Sequence, residues 1–210
     1  MKKFSGVGLV VVLLVALVAL PAMAKIDKAP VGKGSTEVSA ALNVTSTNES
    51  VKVSGTEVGT STSSSTMLML GAGYFLTNAI QLGITTMANV STSKPEGGSS
   101  STTGMMFYGL KAAYNFQLKN SPAILPYVAV DLTGASMQSE ESGHSFTATG
   151  LGYGAAGGLR YFLSRQASVN AELNYNAFSL STTVMGTDVT FDEGTFGVFV
   201  GLSVFFGGAK

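Results

Sequence analysis

Cysteine is absent from the 210 residues, so no disulfide staple and no thiol chemistry can operate in this chain. Charge is scarce. Only 11 % of residues are Asp, Glu, Lys or Arg, against about 25 % in average soluble domains. The twelve basic and twelve acidic residues balance, and no basic patch emerges. That excludes nucleic acid as a partner. Histidine occurs once, at His144. Beyond the N-terminal segment no apolar run reaches the roughly 18 residues that a membrane-crossing helix requires. If the mature chain enters a membrane, it must cross as strands. Every backbone donor and acceptor must then be paired, so the sheet must close on itself.

What is present begins with a targeting segment. Lys2 and Lys3 give a basic start, Leu9 to Leu20 is an unbroken apolar run, and Pro21 and Ala22-Met23-Ala24 follow as a small-x-small cleavage pattern. Cleavage is expected after Ala24. Removing Lys2 and Lys3 leaves ten basic against twelve acidic residues, a formal charge of −2. Residues 25–34 read as a flexible lead, 35–206 as one domain, and 207–210 as a short tail.

The domain is a succession of alternating segments. In Ala167 to Leu180, Val169, Ala171, Leu173, Tyr175 and Ala177 share one face, with Ser168, Asn170, Glu172, Asn174 and Asn176 opposite. A period of two marks a strand whose faces meet different media. Seven further segments read as strands: Thr36–Thr45, Met67–Leu76, Ile80–Thr92, Gly104–Phe116, Ile124–Ser136, Phe146–Leu163 and Thr195–Phe206. No helix or second sheet is available to cover so many apolar faces. The expected fold is therefore all-β: an eight-stranded antiparallel up-and-down barrel with lipid outside and a polar lumen. The phase of Met67–Leu76 is ambiguous, because both of its faces are apolar or small. Pro126 should sit at the periplasmic end, where one ladder donor can be missing.

Turn lengths alternate in the same reading. The turns near residues 78, 120 and 165 are short, whereas the polar segments near 55, 97, 141 and 187 are longer. Outer-membrane barrels have short periplasmic turns and longer outer loops. Ser46–Thr66 reads either as a long outer loop or as strands extending past the membrane. Gln138–Ser145 and Ser181–Asp192 read as loops.

Three features carry a family resemblance: Gly73-Tyr74-Phe75-Leu76-Thr77-Asn78 at a strand-turn junction, Gly157-Gly158-Leu159-Arg160-Tyr161-Phe162-Leu163 before the Ser168–Tyr175 strand, and the alternating C-terminal strand ending in Phe206. The chain resembles the small eight-stranded outer-membrane barrels, the group of the OmpA transmembrane domain, OmpX and the opacity-type proteins. The resemblance implies residence in the outer membrane of a Gram-negative-type bacterium, surrounded by its lipid. It also implies handling by periplasmic chaperones and the barrel assembly machinery. Val198, Val200, Leu202, Val204 and Phe206 match the assembly signal of that family. The tail Gly207–Lys210 departs from it, since members usually stop at the aromatic.

Candidate chemistry is sparse. Arg160 and Glu172 flank the turn at 164–167 and point inward by phase, so they are expected nearly opposite one another as a cross-strand ion pair. Lys111 and Asp131, on neighbouring strands, would extend this lumen charge network. The expected role is structural, because an eight-stranded barrel is just wide enough for its own side chains. The alternative is a gated ion path. His144 lies near Glu140, Glu141 and Ser145, the ingredients of a hydrolase or a weak metal site. However, no nucleophile elbow or oxyanion-hole pattern accompanies them, and a solvated loop is expected. Gly152-Tyr153-Gly154 lacks the helix and acidic partner of a dinucleotide loop. Glycine relieving interior crowding explains it better. Tyr108, Tyr114, Phe116, Tyr153, Tyr161, Tyr175, Phe196 and Phe206 read as interfacial girdles on the lipid face. No cofactor, metal site or catalytic residue is expected. The functional expectation is a non-enzymatic barrel with a structural, adhesive or surface-protective role, meeting an extracellular partner through its loops. A small porin or channel is the first alternative and a secreted lipocalin-like binding barrel the second.

Overall fold

The structure, a computed structural model, describes residues 30–53, 56–95, 101–141, 144–184 and 187–207. The signal segment and the last three residues lie outside them. Eight strands follow in chain order: β1 Thr36–Val53, β2 Thr56–Phe75, β3 Ile80–Pro95, β4 Ser101–Asn115, β5 Ile124–Glu141, β6 His144–Phe162, β7 Ala167–Val184 and β8 Thr187–Phe206. Each pairs antiparallel with its neighbour, and β1 pairs with β8 from Thr36↔Phe206 to Leu42↔Val200, closing the barrel.

The medium assignment rests on which face is hidden. Leu173 and Val200 are 52 % and 58 % exposed on the outer wall, whereas Arg160 and Glu172 are 5 % and 4 % exposed in the lumen. A soluble binding barrel would have the reverse order, so the lipocalin-like alternative is excluded. In β2 the ambiguity of phase resolves: Leu68, Leu70 and Tyr74 face outward, and Met67, Met69, Gly71, Gly73 and Phe75 inward. All eight aromatics assigned to girdles are exposed. Register sorts them into two levels. Tyr114, Tyr161 and Phe206 lie near the end that carries the termini. Tyr108, Tyr153, Tyr175 and Phe196 lie higher, linked through Tyr175↔Phe196 and the neighbouring rungs.

The upper half of the barrel departs from expectation. Strands run 15 to 20 residues, although about 9 to 11 suffice to cross a membrane. Of the two readings of Ser46–Thr66 the extended strands hold, and the described residues of Gln138–Ser145 and Ser181–Asp192, expected as loops, are strands as well. Their backbones continue as hairpins, with Thr45↔Ser65 through Val53↔Thr56, Gln138↔Thr147 through Glu141↔His144, and Ser181↔Thr190 through Val184↔Thr187. The connections closing these three hairpins span two residues each, against four for 76–79 and 163–166, so the inferred alternation of turn lengths does not hold. These segments are rich in Ser and Thr and carry no apolar alternation, while the backbone ladder persists through them. Above the higher aromatic level the exposed outward residues become largely polar, among them Thr66, Ser64, Thr102, Gln138, Thr149, Thr147, Ser179, Ser181, Asp192 and Thr190, although Val44, Val90 and Met106 also face outward there. The polar collar begins where the apolar band stops.

The termini end is built from tight, self-satisfied turns. The Thr77 Oγ1 accepts from the amides of Ala79 and Ile80 at 3.1 and 2.9 Å. Leu163 and Ser164 donate to the Ala167 carbonyl. Pro126 occupies the third position of β5, near this end, and its carbonyl accepts from the Phe116 amide at 2.8 Å. The end of the lead is not free. Val31 is buried among Phe75, Leu125, Phe162 and Phe205. The Lys33 amide donates to Asn78 Oδ1 and the Gly34 amide to the Phe75 carbonyl, with Gly34 at φ 88°. This strap packs across the mouth because its one large apolar side chain finds a ring of phenylalanines there.

Candidate functional site

Alternation sends polar side chains inward at one height, and the barrel makes them meet across the lumen. Arg160 does not pair with Glu172, as had been expected. Its rung partner is Asn170, and Glu172 sits opposite Gly158. The guanidinium instead reaches Glu37 on β1, with Nε donating to Oε1 at 3.0 Å and Nη2 to Oε2 at 2.9 Å. Nη1 donates to Asn115 Oδ1 at 2.6 Å, and Nη2 also to Gln81 Oε1 at 3.2 Å. Glu37 further accepts from Ser203 Oγ and Gln81 Nε2, both at 2.5 Å. Asn170 Nδ2 donates to Ser203 Oγ at 2.6 Å. Each carboxylate oxygen of Glu37 thus has two donors. The bidentate fork is the geometry in which arginine and carboxylate are strongest.

A second knot lies beside the first. Lys111 Nζ donates to Glu172 Oε2 at 2.7 Å, bridging β4 and β7. The Tyr127 hydroxyl donates to the same oxygen at 2.5 Å. The Tyr127 ring lies 4.0 Å from the Arg160 guanidinium carbon, in cation–π contact, and joins the two knots. Asp131 occupies the rung opposite Lys111, but Lys111 turns to Glu172. The Asp131 Oδ1 is buried without a hydrogen-bond partner. So the four residues of the expected charge network all face one lumen layer, with the ion pairs differently drawn. Glu37 was missed, although it shares the phase of Ser39 and Asn43 on β1. Gln81, Asn115 and Tyr127, inward by the alternation of their own strands, complete the network.

Glycines make this layer possible. A Cβ on Gly158 would run into the Tyr127 ring, and one on Gly73 into the Gln81 amide. On Gly154 it would meet the Asp131 carboxylate at 2.6 and 2.7 Å. Gly154 and Gly158 of β6 therefore relieve interior crowding.

The lumen is not polar throughout. Below the network lies the Val31, Phe75, Leu125, Phe162 and Phe205 layer. Above it, Ala41, Met87, Met105, Phe107, Ala135, Met137, Ala148, Phe178, Leu180 and Phe199 form one buried cluster, with Met67 and Met69 packed against it. All eight strands contribute to this upper layer, and the Phe107 and Phe178 rings stand 5.3 Å apart. Beside the network, beneath Met69 and Phe199, is a cavity of about 60 Å³ whose polar lining includes Glu37, Gln81, Lys111, Arg160 and Glu172. Such a volume holds on the order of four waters.

The side chains of Glu140, Glu141, His144 and Ser145 lie outside the described residues, and so does any hydrolase or metal arrangement among them. Among the described residues no group of three or more His, Cys, Asp and Glu converges as a metal site. The outward residues of the C-terminal strand, Val198, Val200, Leu202, Val204 and Phe206, lie in one row along β8, and Gly207 turns away at φ 69°.

Residues 10–204 match the family model described as outer membrane protein beta-barrel domain. Among solved structures, Neisserial surface protein A is similar at 18 % identity and TM-score 0.54, over 82 % of this chain and 97 % of that one. The N-terminal β-barrel domain of Pseudomonas aeruginosa OprF is similar at 15 % identity and TM-score 0.52, over 83 % and 99 %. OprG from Pseudomonas aeruginosa follows at 14 % identity and TM-score 0.50, over 87 % and 99 %. At these identities the likeness is one of fold. No curated protein matches the chain.

Proposed function

The chain belongs to the outer membrane protein β-barrel family and resides in the outer membrane of a Gram-negative cell, and from that premise we propose that it works as a closed, non-enzymatic surface barrel. Its lumen serves stability, and its collar of strands serves attachment or surface protection outside the cell. The observation that carries this reading is the layering of the interior. The ion-pair network is stacked against a Met and Phe layer drawn from all eight strands. An apolar constriction of that kind opposes ion passage by excluding water. What remains for function is the outer wall, where the strands continue well past the higher aromatic level with a Ser- and Thr-rich face.

The row Val198, Val200, Leu202, Val204 and Phe206 serves, in this reading, as the signal for the barrel assembly machinery. Residues 1–24 direct export and are removed. The test of function has two arms. Purified barrel in planar bilayers is expected to give no discrete current steps. A variant in which residues 46–64 are replaced by a tight turn is expected to stay heat-modifiable on gels while the cells lose surface attachment. Regular steps from the unaltered barrel, or attachment unchanged by the deletion, would overturn the reading. A gated ion path has one observation in its favour, the polar cavity of about 60 Å³ beside the network, and the same recordings decide it.

A further inference from the structure

The barrel does not close evenly. The β1–β8 ladder has seven rungs, Thr36↔Phe206 to Leu42↔Val200. Every other neighbouring pair has at least fourteen, as in Thr102↔Glu140 to Asn115↔Tyr127. Above Leu42 and Val200 both strands continue, β1 to Val53 and β8 back to Thr187, each paired only on its far side. The last tie is a side chain. Asn43 Nδ2 donates to the Val198 carbonyl at 2.6 Å and caps the ladder. Phe196, two residues further up, belongs to the higher aromatic level. The seam therefore parts four residues below Phe196, beneath the outward-facing Val44 and Val198. Above Phe196 the unpaired backbone groups of β8 can be hydrated.

A row of unpaired amides and carbonyls is a template for another strand. The two edges differ in charge. The β8 segment Thr187–Phe196 carries Asp188, Asp192 and Glu193 and no basic residue, whereas β1 from Asn43 to Val53 carries one acid, Glu49, and one base, Lys52. We propose that the β8 edge above Val200 accepts an extended, basic segment of another polypeptide as an added strand. Main-chain hydrogen bonds would supply the affinity, and Lys or Arg at alternate positions would complement the acidic charge of this segment, exposed at Asp192. This goes beyond the surface-display reading, because edge binding can fail while deletion of the collar still abolishes attachment.

The probe is a twelve-residue peptide alternating Lys with Val and Thr, added to the barrel in phosphatidylcholine vesicles. Its control carries the same charge, with proline at the alternate positions. In the free barrel, amides of β8 between Thr190 and Gly197 whose donors point to the seam should exchange rapidly, and the peptide should protect them. The proline control should bind at least about tenfold more weakly, the loss of one or two main-chain hydrogen bonds. A seam-locked barrel provides the second arm. If the ladder is zipped upward in register, residue 47 meets residue 195, so Thr47→Cys with Thr195→Cys should form a disulfide in a chain that has no cysteine of its own. Oxidised, that barrel should lose peptide binding, and reduction should restore it. The proposal is overturned if the seam amides are already protected without peptide, if the peptide does not bind, if the proline control binds equally well, or if the oxidised barrel binds as the reduced one does.

Discussion

Removing Glu37 should unfold the barrel more readily than any other single loss in the lumen. The side chain is 4 % exposed, and its partner Arg160 is 5 % exposed. At the 2.9 Å separation of Arg160 Nη2 and Glu37 Oε2, and an effective dielectric of about 20, the attraction is about 6 kcal/mol. Desolvation of the two ions offsets much of that, so the intact pair contributes little net stability. Glu37→Ala is a different matter. It leaves a guanidinium buried without its counter-charge and strips acceptors from Ser203 and Gln81, a cost of about 3–5 kcal/mol. With no tryptophan in the chain, unfolding is best followed by heat-modifiable gel migration and far-ultraviolet circular dichroism in a urea series. A double-mutant cycle then apportions the coupling. Glu37→Ala with Arg160→Ala should give an interaction energy of at least about 2 kcal/mol, whereas Glu172→Ala with Arg160→Ala should give under about 1 kcal/mol. The reasoning is refuted if Glu37→Ala costs no more than about 1 kcal/mol, as an exposed pair would, or if Arg160 couples more strongly to Glu172 than to Glu37.

Three further outcomes follow from the same geometry. Leu173→Arg, on the apolar band, should destabilise the folded barrel in vesicles by about 2–4 kcal/mol, while Ser179→Arg on the collar should cost at most about 1 kcal/mol; equal costs would misplace the membrane. Gly150→Ala would drive a Cβ into the Ser179 carbonyl, whereas a Cβ on Gly157 meets nothing within 4 Å. Refolding yields and urea midpoints should therefore fall for the first, by about 1–3 kcal/mol, and stay near the parent for the second. Asp131→Asn removes a charge whose Oδ1 lacks a hydrogen-bond partner and should leave stability unchanged or raised. A loss above about 2 kcal/mol in the same urea series would mean that the carboxylate has a partner worth more than its burial costs.

Strand count, antiparallel order and, outside β2, the side of the wall on which the alternating residues lie were legible from the sequence alone. Those follow from a period of two read against two media, and they needed no coordinates: Leu173 and Val200 out, Arg160, Glu172, Lys111 and Asp131 in. It also placed the aromatic girdles, because amphipathic rings collect where the medium changes. Three things were decided only by the closed structure. Arg160 meets Glu37 and Lys111 meets Glu172 because closure brings non-neighbouring strands face to face across a narrow lumen, a relation that no local spacing encodes. The inward face carries apolar layers as well as charge, since a barrel this narrow is filled by its own side chains, and a Met or Phe facing inward reads the same as one facing lipid, as the ambiguous phase of β2 illustrates. The collar was legible only as one of two alternatives at Ser46–Thr66 and was read as loop at Ser181–Asp192. Ser- and Thr-rich segments carry no apolar alternation, and pairing with their neighbours is what makes them strands.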